Sequence, residues 1–85
     1  MKKRIDFFIH FESENFADQA EVYHGTIKEA KRSAKALYRT ELKKEKGGRV
    51  IIKIGEENDK DYGKVVSSYS EEEGWVDFIA DIVNK

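Results

Sequence analysis

Cations spaced along one segment are the residues of this chain with the clearest potential for binding a ligand. Residues 28–53 contain ten Lys or Arg against three Glu, a net charge of +7, whereas the rest of the chain carries −8. The cations recur every three or four residues, which on a helix would align them as one basic stripe. Such a stripe can follow a phosphate backbone and release its counterions. Its members are Lys28, Lys31, Arg32, Lys35, Arg39, Lys43 and Lys46.

We nevertheless expect the basic stripe to be mainly a solvated helix face. Domains that bind nucleic acid are usually basic overall, and this chain has a net charge of −1. Acids near the stripe, such as Asp18 and Glu21, would repel a long polyanion within a Debye length or two. Nucleic-acid binding is therefore the alternative hypothesis. Its residues are Lys28, Arg32, Lys35, Arg39 and Lys43.

Apolar side chains on one face of the predicted sheet form a candidate protein-binding surface. Strand alternation places Phe8, Tyr23 and Ile51 on the same face. With a six-residue loop between the first two strands, Phe8 lies opposite Tyr23. Exposed aromatics can stack on bases, but apolar patches on small domains more often contact proteins. Asp6 and Glu21, predicted on this face, would also repel phosphates, so we favour a protein partner.

We expect no metal, no cofactor and no enzymatic activity. The same register places His10 and His24 on opposite faces of the sheet, where they cannot share a metal ion. No carboxylate lies at the spacing of a known metal motif, and no serine has a visible His/Asp relay. The acidic turn of residues 56–61 lacks the ligand ladder and glycine of an EF-hand loop. The chain has no cysteine, so thiolate ligands are absent from it.

Length and composition predict a small cytoplasmic protein. A chain of 85 residues suits one core, so we assign residues 1–85 to a single α+β domain. The absence of cysteine suits a reducing compartment. No apolar run approaches the roughly 20 residues that cross a membrane, and Asp6 and Glu12 interrupt the first apolar segment. We therefore expect no membrane partner.

Four strands and two helices are predicted from periodicity and caps. Period-2 alternation marks strands at residues 5–11, 19–24, 50–54 and, less clearly, 62–69. Thr26 and Glu29 have the spacing of a capping box, opening a helix that runs to about residue 46 before two glycines. Ser70 and Glu73 have the same spacing. Trp75 then begins an i, i+3, i+4, i+7 apolar pattern that predicts a second helix.

The predicted fold is an α+β two-layer sandwich in ββαββα order, with a mostly antiparallel sheet of three or four strands and both helices on one face. The predicted core comprises Ile5, Phe7, Ile9, Phe11, Val22, Val50, Ile52, Ile54, Ala30, Ala34, Leu37, Trp75, Phe78 and Ile82. The other sheet face is left uncovered, and a homodimer would hide it symmetrically.

The predicted function is that of a small non-enzymatic binding protein, a regulator or inhibitor that occupies a partner macromolecule. The uncovered face and the missing catalytic motifs favour this function, and they favour a protein as the partner. Small inhibitor proteins of phages and mobile elements have a similar size and composition.

Overall fold

Five antiparallel strands in one sheet make up most of the fold. The computed structural model describes residues 4–13, 17–42 and 47–78. The strands are β1 (Ile5–Glu12), β2 (Ala17–Gly25), β3 (Arg49–Ile54), β4 (Val65–Ser70) and β5 (Gly74–Asp77). They lie in the order β2-β1-β3-β4-β5. One helix, α1 (Ile27–Leu37), connects β2 to β3 and continues as a π-helical turn over Tyr38–Leu42.

The predicted ββαββα order, with two helices on a sheet of three or four strands, is therefore wrong. The described chain runs ββαβββ, with five strands and a single helix. The second predicted helix is replaced by the hairpin that joins β4 and β5. Residues 79–85, which include Ile82 and the end of the predicted second helix, lie outside the described residues, as do residues 43–46.

A three-residue turn forms where the second helix was predicted. The Glu73 backbone N–H donates to Ser70 Oγ over 3.3 Å, the bond that a capping box also makes. Ser70 lies opposite Gly74 across the hairpin, and Gly74 has a φ of +68°. A glycine with positive φ after a short turn is typical of three-residue hairpin loops. The chain therefore reverses into β5 instead of continuing as a helix.

The predicted capping box of the first helix is confirmed. Glu29 N–H donates to Thr26 Oγ1 over 3.2 Å, and Thr26 N–H donates to Glu29 Oε1 over 2.9 Å. The hydrogen bond from the Thr26 backbone is the main cause that holds the pKa of Glu29 below its usual value. Desolvation raises this pKa, and the charge of Arg4, 2.8 Å away, lowers it further. An ionised Glu29 in the first turn also suits the helix dipole.

The core lies between α1 and the face of the sheet that it covers. Phe7 pairs with Ile54 and Ile9 with Ile52 across β1 and β3, and all four side chains are buried. Ala30 and Ala34 are fully buried on the helix, where their small size lets α1 approach the sheet closely. Most of the predicted core is confirmed. The buried set is Ile5, Phe7, Ile9, Ile27, Ala30, Ala34, Tyr38, Val50, Ile52, Ile54 and Val66, with Phe11, Leu37 and Trp75 packed against it.

Two predicted core residues are instead on the surface. Val22 is 54% exposed and Phe78 is 57% exposed. Phe78 follows the end of β5 and so lies off the helical pattern that placed it inside. Val22 is exposed because the register between β1 and β2 differs from the predicted one.

The observed register between β1 and β2 exchanges the two faces of β2. Phe8 lies opposite Val22 and Phe7 opposite Tyr23, so the prediction that Phe8 faces Tyr23 is wrong. Pairing extends to Glu12 and Ala17, which shortens the predicted loop, and the register shifts between Ile9 and His10. A change of one residue in register turns every side chain of a strand to the other face. Tyr23 therefore packs against the core.

Candidate functional site

The face of the sheet opposite α1, here called the open face, carries most of the predicted partner-binding surface. On β1 its residues alternate with the buried Ile5, Phe7 and Ile9, and the registers extend it to both neighbouring strands. The open face is formed by Asp6, Phe8, His10, Val22, His24, Ile51 and Lys53. Phe8 and Ile51 thus lie where they were predicted. Tyr23 does not, because it is on the face that α1 covers.

Phe8 is the aromatic centre of the open face and is half-buried. Its ring meets Tyr62 edge-on at a centroid distance of 5.9 Å and His10 edge-on at 6.4 Å. The ring also lies against the backbone of Gly55, where an added Cβ would come within 3.0 Å of it. Gly55 therefore leaves the space that this ring position requires.

Tyr62 reaches Phe8 because the loop between β3 and β4 folds back toward the sheet. Successive turns shape the loop: Asp59 N–H donates to Glu56 O and Tyr62 N–H donates to Asp59 O, both over 3.0 Å. Gly63, with a φ of +82°, then closes the hairpin by donating to Ile54 O over 2.8 Å. Tyr62 belongs to this loop and not to the predicted fourth strand.

An exposed apolar patch results around Phe8. Val22 pairs with Phe8 across the strands, and its side chain is 54% exposed. Tyr62, whose ring contacts that of Phe8, is 48% exposed. We call Phe8, Val22 and Tyr62 the apolar patch. The sequence pattern did not reveal Val22, because the register differs from the predicted one, or Tyr62, because the predicted fourth strand included it. The Tyr62–Gly63 pair was the available signal for a turn.

A cluster of two carboxylates and an imidazole lies at one end of the open face. His24 Nδ1 and Asp6 Oδ1 are 2.8 Å apart, and Glu56 Oε1 accepts a 3.1 Å hydrogen bond from the Asp6 backbone N–H. One ligand atom of each of the three residues lies within 4.8 Å of the other two. His10 and His24 are both on the open face, so the prediction that they lie on opposite faces is wrong.

Some cations of the basic stripe contact aromatic rings, and others are exposed to solvent. Lys31 Nζ lies 5.0 Å from the centre of the Trp75 ring, and Lys35 Nζ lies 5.2 Å from that of Tyr69. These rings pack together on β5 and β4, with centroids 5.1 Å apart, so part of the stripe covers the edge of the core. Lys28, Arg32 and Arg39 are exposed, and Lys43 and Lys46 lie outside the described residues.

Asp77 binds Lys31, the cation that contacts the Trp75 ring. Its Oδ1 accepts hydrogen bonds of 2.7 Å from Lys31 Nζ and from Ser67 Oγ, which is fully buried. Partial burial raises the pKa of the Asp77 carboxyl, but the hydrogen bonds from Lys31 and Ser67 and the charge of Lys31 lower it more. The net result is a pKa below the usual value, so the folded state favours the ionised carboxylate.

We expect Asp77→Asn to destabilise the fold by about 0.5–1 kcal/mol at neutral pH, the size of a partly exposed ion pair. Because the folded-state pKa is lowered, this stabilisation is complete above about pH 5 and is lost as pH falls below about 4. Urea unfolding of both proteins at pH values from about 3 to about 7 measures the effect. Glu72→Gln, in the exposed turn nearby, is the control. A difference between wild type and Asp77→Asn that does not change with pH would contradict this account.

Comparison with known proteins gives no relative from which to transfer a function. No protein-family model, curated protein or solved structure matches this chain. No helix in the described part of the chain is long and apolar enough to cross a membrane. The function is therefore inferred from the residues of the site.

Proposed function

We propose that this protein is a small non-enzymatic binding protein whose open face occupies a partner protein. The observation that carries this proposal is the apolar patch, in which two large side chains, each about half exposed, flank the ring of Phe8. Aromatic and aliphatic side chains of this kind are the usual anchors of protein interfaces. Covering them would remove apolar surface from water, which favours association.

The charges around the apolar patch support a protein partner over a nucleic acid. Asp6 and Glu56 place two carboxylates at one end of the open face, while Lys53 lies opposite Phe8 on the neighbouring strand. A phosphate backbone crossing this face would meet the carboxylates within a Debye length. A protein can instead match carboxylates and a cation with its own charges at the rim of the interface.

A nucleic-acid interface on α1 and the π-helical turn that continues it is the alternative function, and one observation favours it. Lys28, Arg32 and Arg39 are exposed, and none of the described ion pairs involves them. They could therefore contact phosphates without giving up an existing partner. Against this, Lys31 and Lys35 contact aromatic rings at the edge of the core, which leaves a shorter row of cations than the sequence suggested.

Crosslinking from the apolar patch tests the proposal. A photoreactive phenylalanine analogue placed at Tyr62 keeps an aromatic side chain against Phe8 and should crosslink one defined protein in the cells that make this chain. The same analogue at Arg32, on the exposed side of α1, is the control and should not crosslink that protein. Crosslinking of one protein from both positions with equal yield would contradict an interface on the open face.

Val22→Asp is expected to weaken binding of the crosslinked protein by about tenfold or more, because a charge would be buried in the interface. Val22 is largely exposed on an edge strand, so the substitution should leave the fold intact. Titration calorimetry with both purified proteins measures the change, and circular dichroism checks the fold. A second copy of this chain is one partner that the open face could take, and light scattering of wild type and Val22→Asp identifies that case.

The proposal fails if oligonucleotides bind instead. Binding of a mixed-sequence oligonucleotide at physiological salt, abolished by combined Lys28→Gln, Arg32→Gln and Arg39→Gln, would support the alternative function. Removing three phosphate contacts would also lower the slope of log K against log salt by nearly three. We expect this triple variant to bind the protein partner as wild type does.

A further inference from the structure

The cluster at the end of the open face has the composition of a metal site. We propose that Asp6, His24 and Glu56 bind a divalent transition-metal ion, with Zn²⁺ as the preferred ion. Each residue offers one ligand atom, and these atoms lie within 4.8 Å of one another. The set differs from a purely acidic cluster because the imidazole supplies a nitrogen ligand, which zinc and similar ions favour.

The backbone holds the three residues close together. Asp6 and His24 are directly opposite on β1 and β2, which fixes the separation of their side chains. Gly55 N–H donates to Asp6 O over 2.8 Å, so the first residues after β3 are tied to the start of β1. The adjacent Glu56 carboxylate is held by the Asp6 N–H at 3.1 Å. Three segments distant in sequence thus meet through main-chain contacts.

Small side-chain movements would complete the coordination. Zinc bonds of about 2.1 Å in a tetrahedral site separate neighbouring ligand atoms by about 3.4 Å. His24 Nδ1 and Asp6 Oδ1, now 2.8 Å apart, would move slightly apart, and the Glu56 oxygen, which lies within 4.8 Å of both, would adjust to the same spacing. The side chains of His24 and Asp6 are 62% and 42% exposed, so they have room to turn. A fourth position would remain for water or for a group from a partner.

Charge also favours a cation at this place. With a neutral His24, the cluster carries two negative charges. Two of the basic residues near the cluster in sequence are paired elsewhere: Arg4 with Glu29 and Lys64 with Asp61. Among the ion pairs of the described residues, none brings Lys or Arg to Asp6 or Glu56. A divalent ion would balance the two carboxylates in full.

The ligand set selects against calcium and magnesium. Calcium takes six to eight oxygen ligands, and magnesium prefers octahedral oxygen coordination with several waters. Two carboxylates supply too few oxygens for calcium, and the imidazole nitrogen is a poor ligand for magnesium. Zinc accepts nitrogen and oxygen ligands with a coordination number of four.

Titration calorimetry of the full chain, without an affinity tag, tests the site. After treatment with a chelator, the protein should bind one equivalent of Zn²⁺ and should not bind Ca²⁺ or Mg²⁺ at the same concentrations. His24→Gln should weaken zinc binding by about tenfold or more, since even the loss of a residue that only supports a ligand has an effect of this size. His10→Gln is the matched control, because it removes the other histidine of the open face and should leave zinc affinity within about twofold.

Nitrogen-15 NMR of the imidazoles gives a second readout, in which Zn²⁺ should shift the His24 nitrogens and leave those of His10 unchanged. Glu56→Gln provides an independent variant if His24→Gln does not fold, and it should also weaken binding. Absence of saturable zinc binding would overturn the proposal. So would zinc binding that His24→Gln and Glu56→Gln leave unchanged, or that His10→Gln weakens equally.

Discussion

Phe7→Ala is expected to unfold most of the protein at room temperature. Phe7 is 1% exposed and is the largest of the fully buried side chains among the described residues. Its ring belongs to the buried cluster between α1 and the sheet. Truncating a buried phenylalanine costs about 3–5 kcal/mol. A domain of this size has a total stability of about 4–13 kcal/mol at typical values per residue, and small domains lie toward the lower end.

Phe78→Ala is the matched control for this substitution. The same atoms are removed, but Phe78 is 57% exposed at the end of β5, so we expect a loss below about 0.5 kcal/mol. Urea unfolding followed by circular dichroism and by the fluorescence of Trp75 measures both variants. Equal destabilisation by the two substitutions would contradict the assignment of Phe7 to the core and Phe78 to the surface.

Local signals predicted the elements that depend on neighbouring residues. Alternation identified β1 and β3, whose inward side chains are the buried Phe7, Ile9 and Ile52. The capping box at Thr26 identified the start of α1, because both of its hydrogen bonds join residues three apart. These patterns need no knowledge of the rest of the fold, and they were sufficient for most of the core.

The register of β2 could not be predicted in the same way. It depends on where pairing begins at the loop and on the shift between Ile9 and His10. Neither feature leaves a periodic signal in the sequence, and an error of one residue exchanges the two faces. That error exchanged Tyr23 and Val22, so one of the three residues of the apolar patch was assigned to the wrong side of the sheet.

The same register error concealed the proposed metal site. Asp6 and His24 become neighbours only when β2 pairs as it does here. Glu56 joins them through the hydrogen bond from Gly55 N–H to Asp6 O and the bond from Asp6 N–H to the Glu56 carboxylate. The spacing of these three residues along the chain matches no metal motif. A site assembled from strand ends of a sheet is therefore visible only after the pairing is known.

The second helix was wrongly predicted from the capping-box spacing of Ser70 and Glu73 for a different reason. A serine followed three residues later by glutamate forms the same hydrogen bond at a helix start and in a turn, as Ser70 and Glu73 do here. The residue that distinguishes the two outcomes is Gly74, which is unfavourable inside a helix but suits the end of a hairpin turn. Trp75 and Val76 follow it, and both are residue types that favour strands.

Gly74→Ala therefore has opposite expected effects in the two structures. Inside a helix, alanine in place of glycine would stabilise by about 1 kcal/mol. In the hairpin, Gly74 has a φ of +68°, and an L-residue pays about 1–2 kcal/mol for that conformation. Apart from Gly74 and its two chain neighbours, no atom of the described residues lies within 4 Å of a Cβ built at Gly74, so a clash with the rest of the fold does not contribute to the result. We expect destabilisation, measured as a lower urea midpoint with an unchanged m-value.

Gly74→Asn separates the backbone effect from other causes. Asparagine enters the left-handed region at lower cost than alanine, so Gly74→Asn should lose less stability than Gly74→Ala. In a helix the order would reverse, because alanine is the better helix former. A Gly74→Ala variant that is more stable than both wild type and Gly74→Asn would show that residues 71–77 are helical, and the hairpin of β4 and β5 would then be wrong. The ranking expected here, wild type above Gly74→Asn above Gly74→Ala, follows from the sign of one backbone angle.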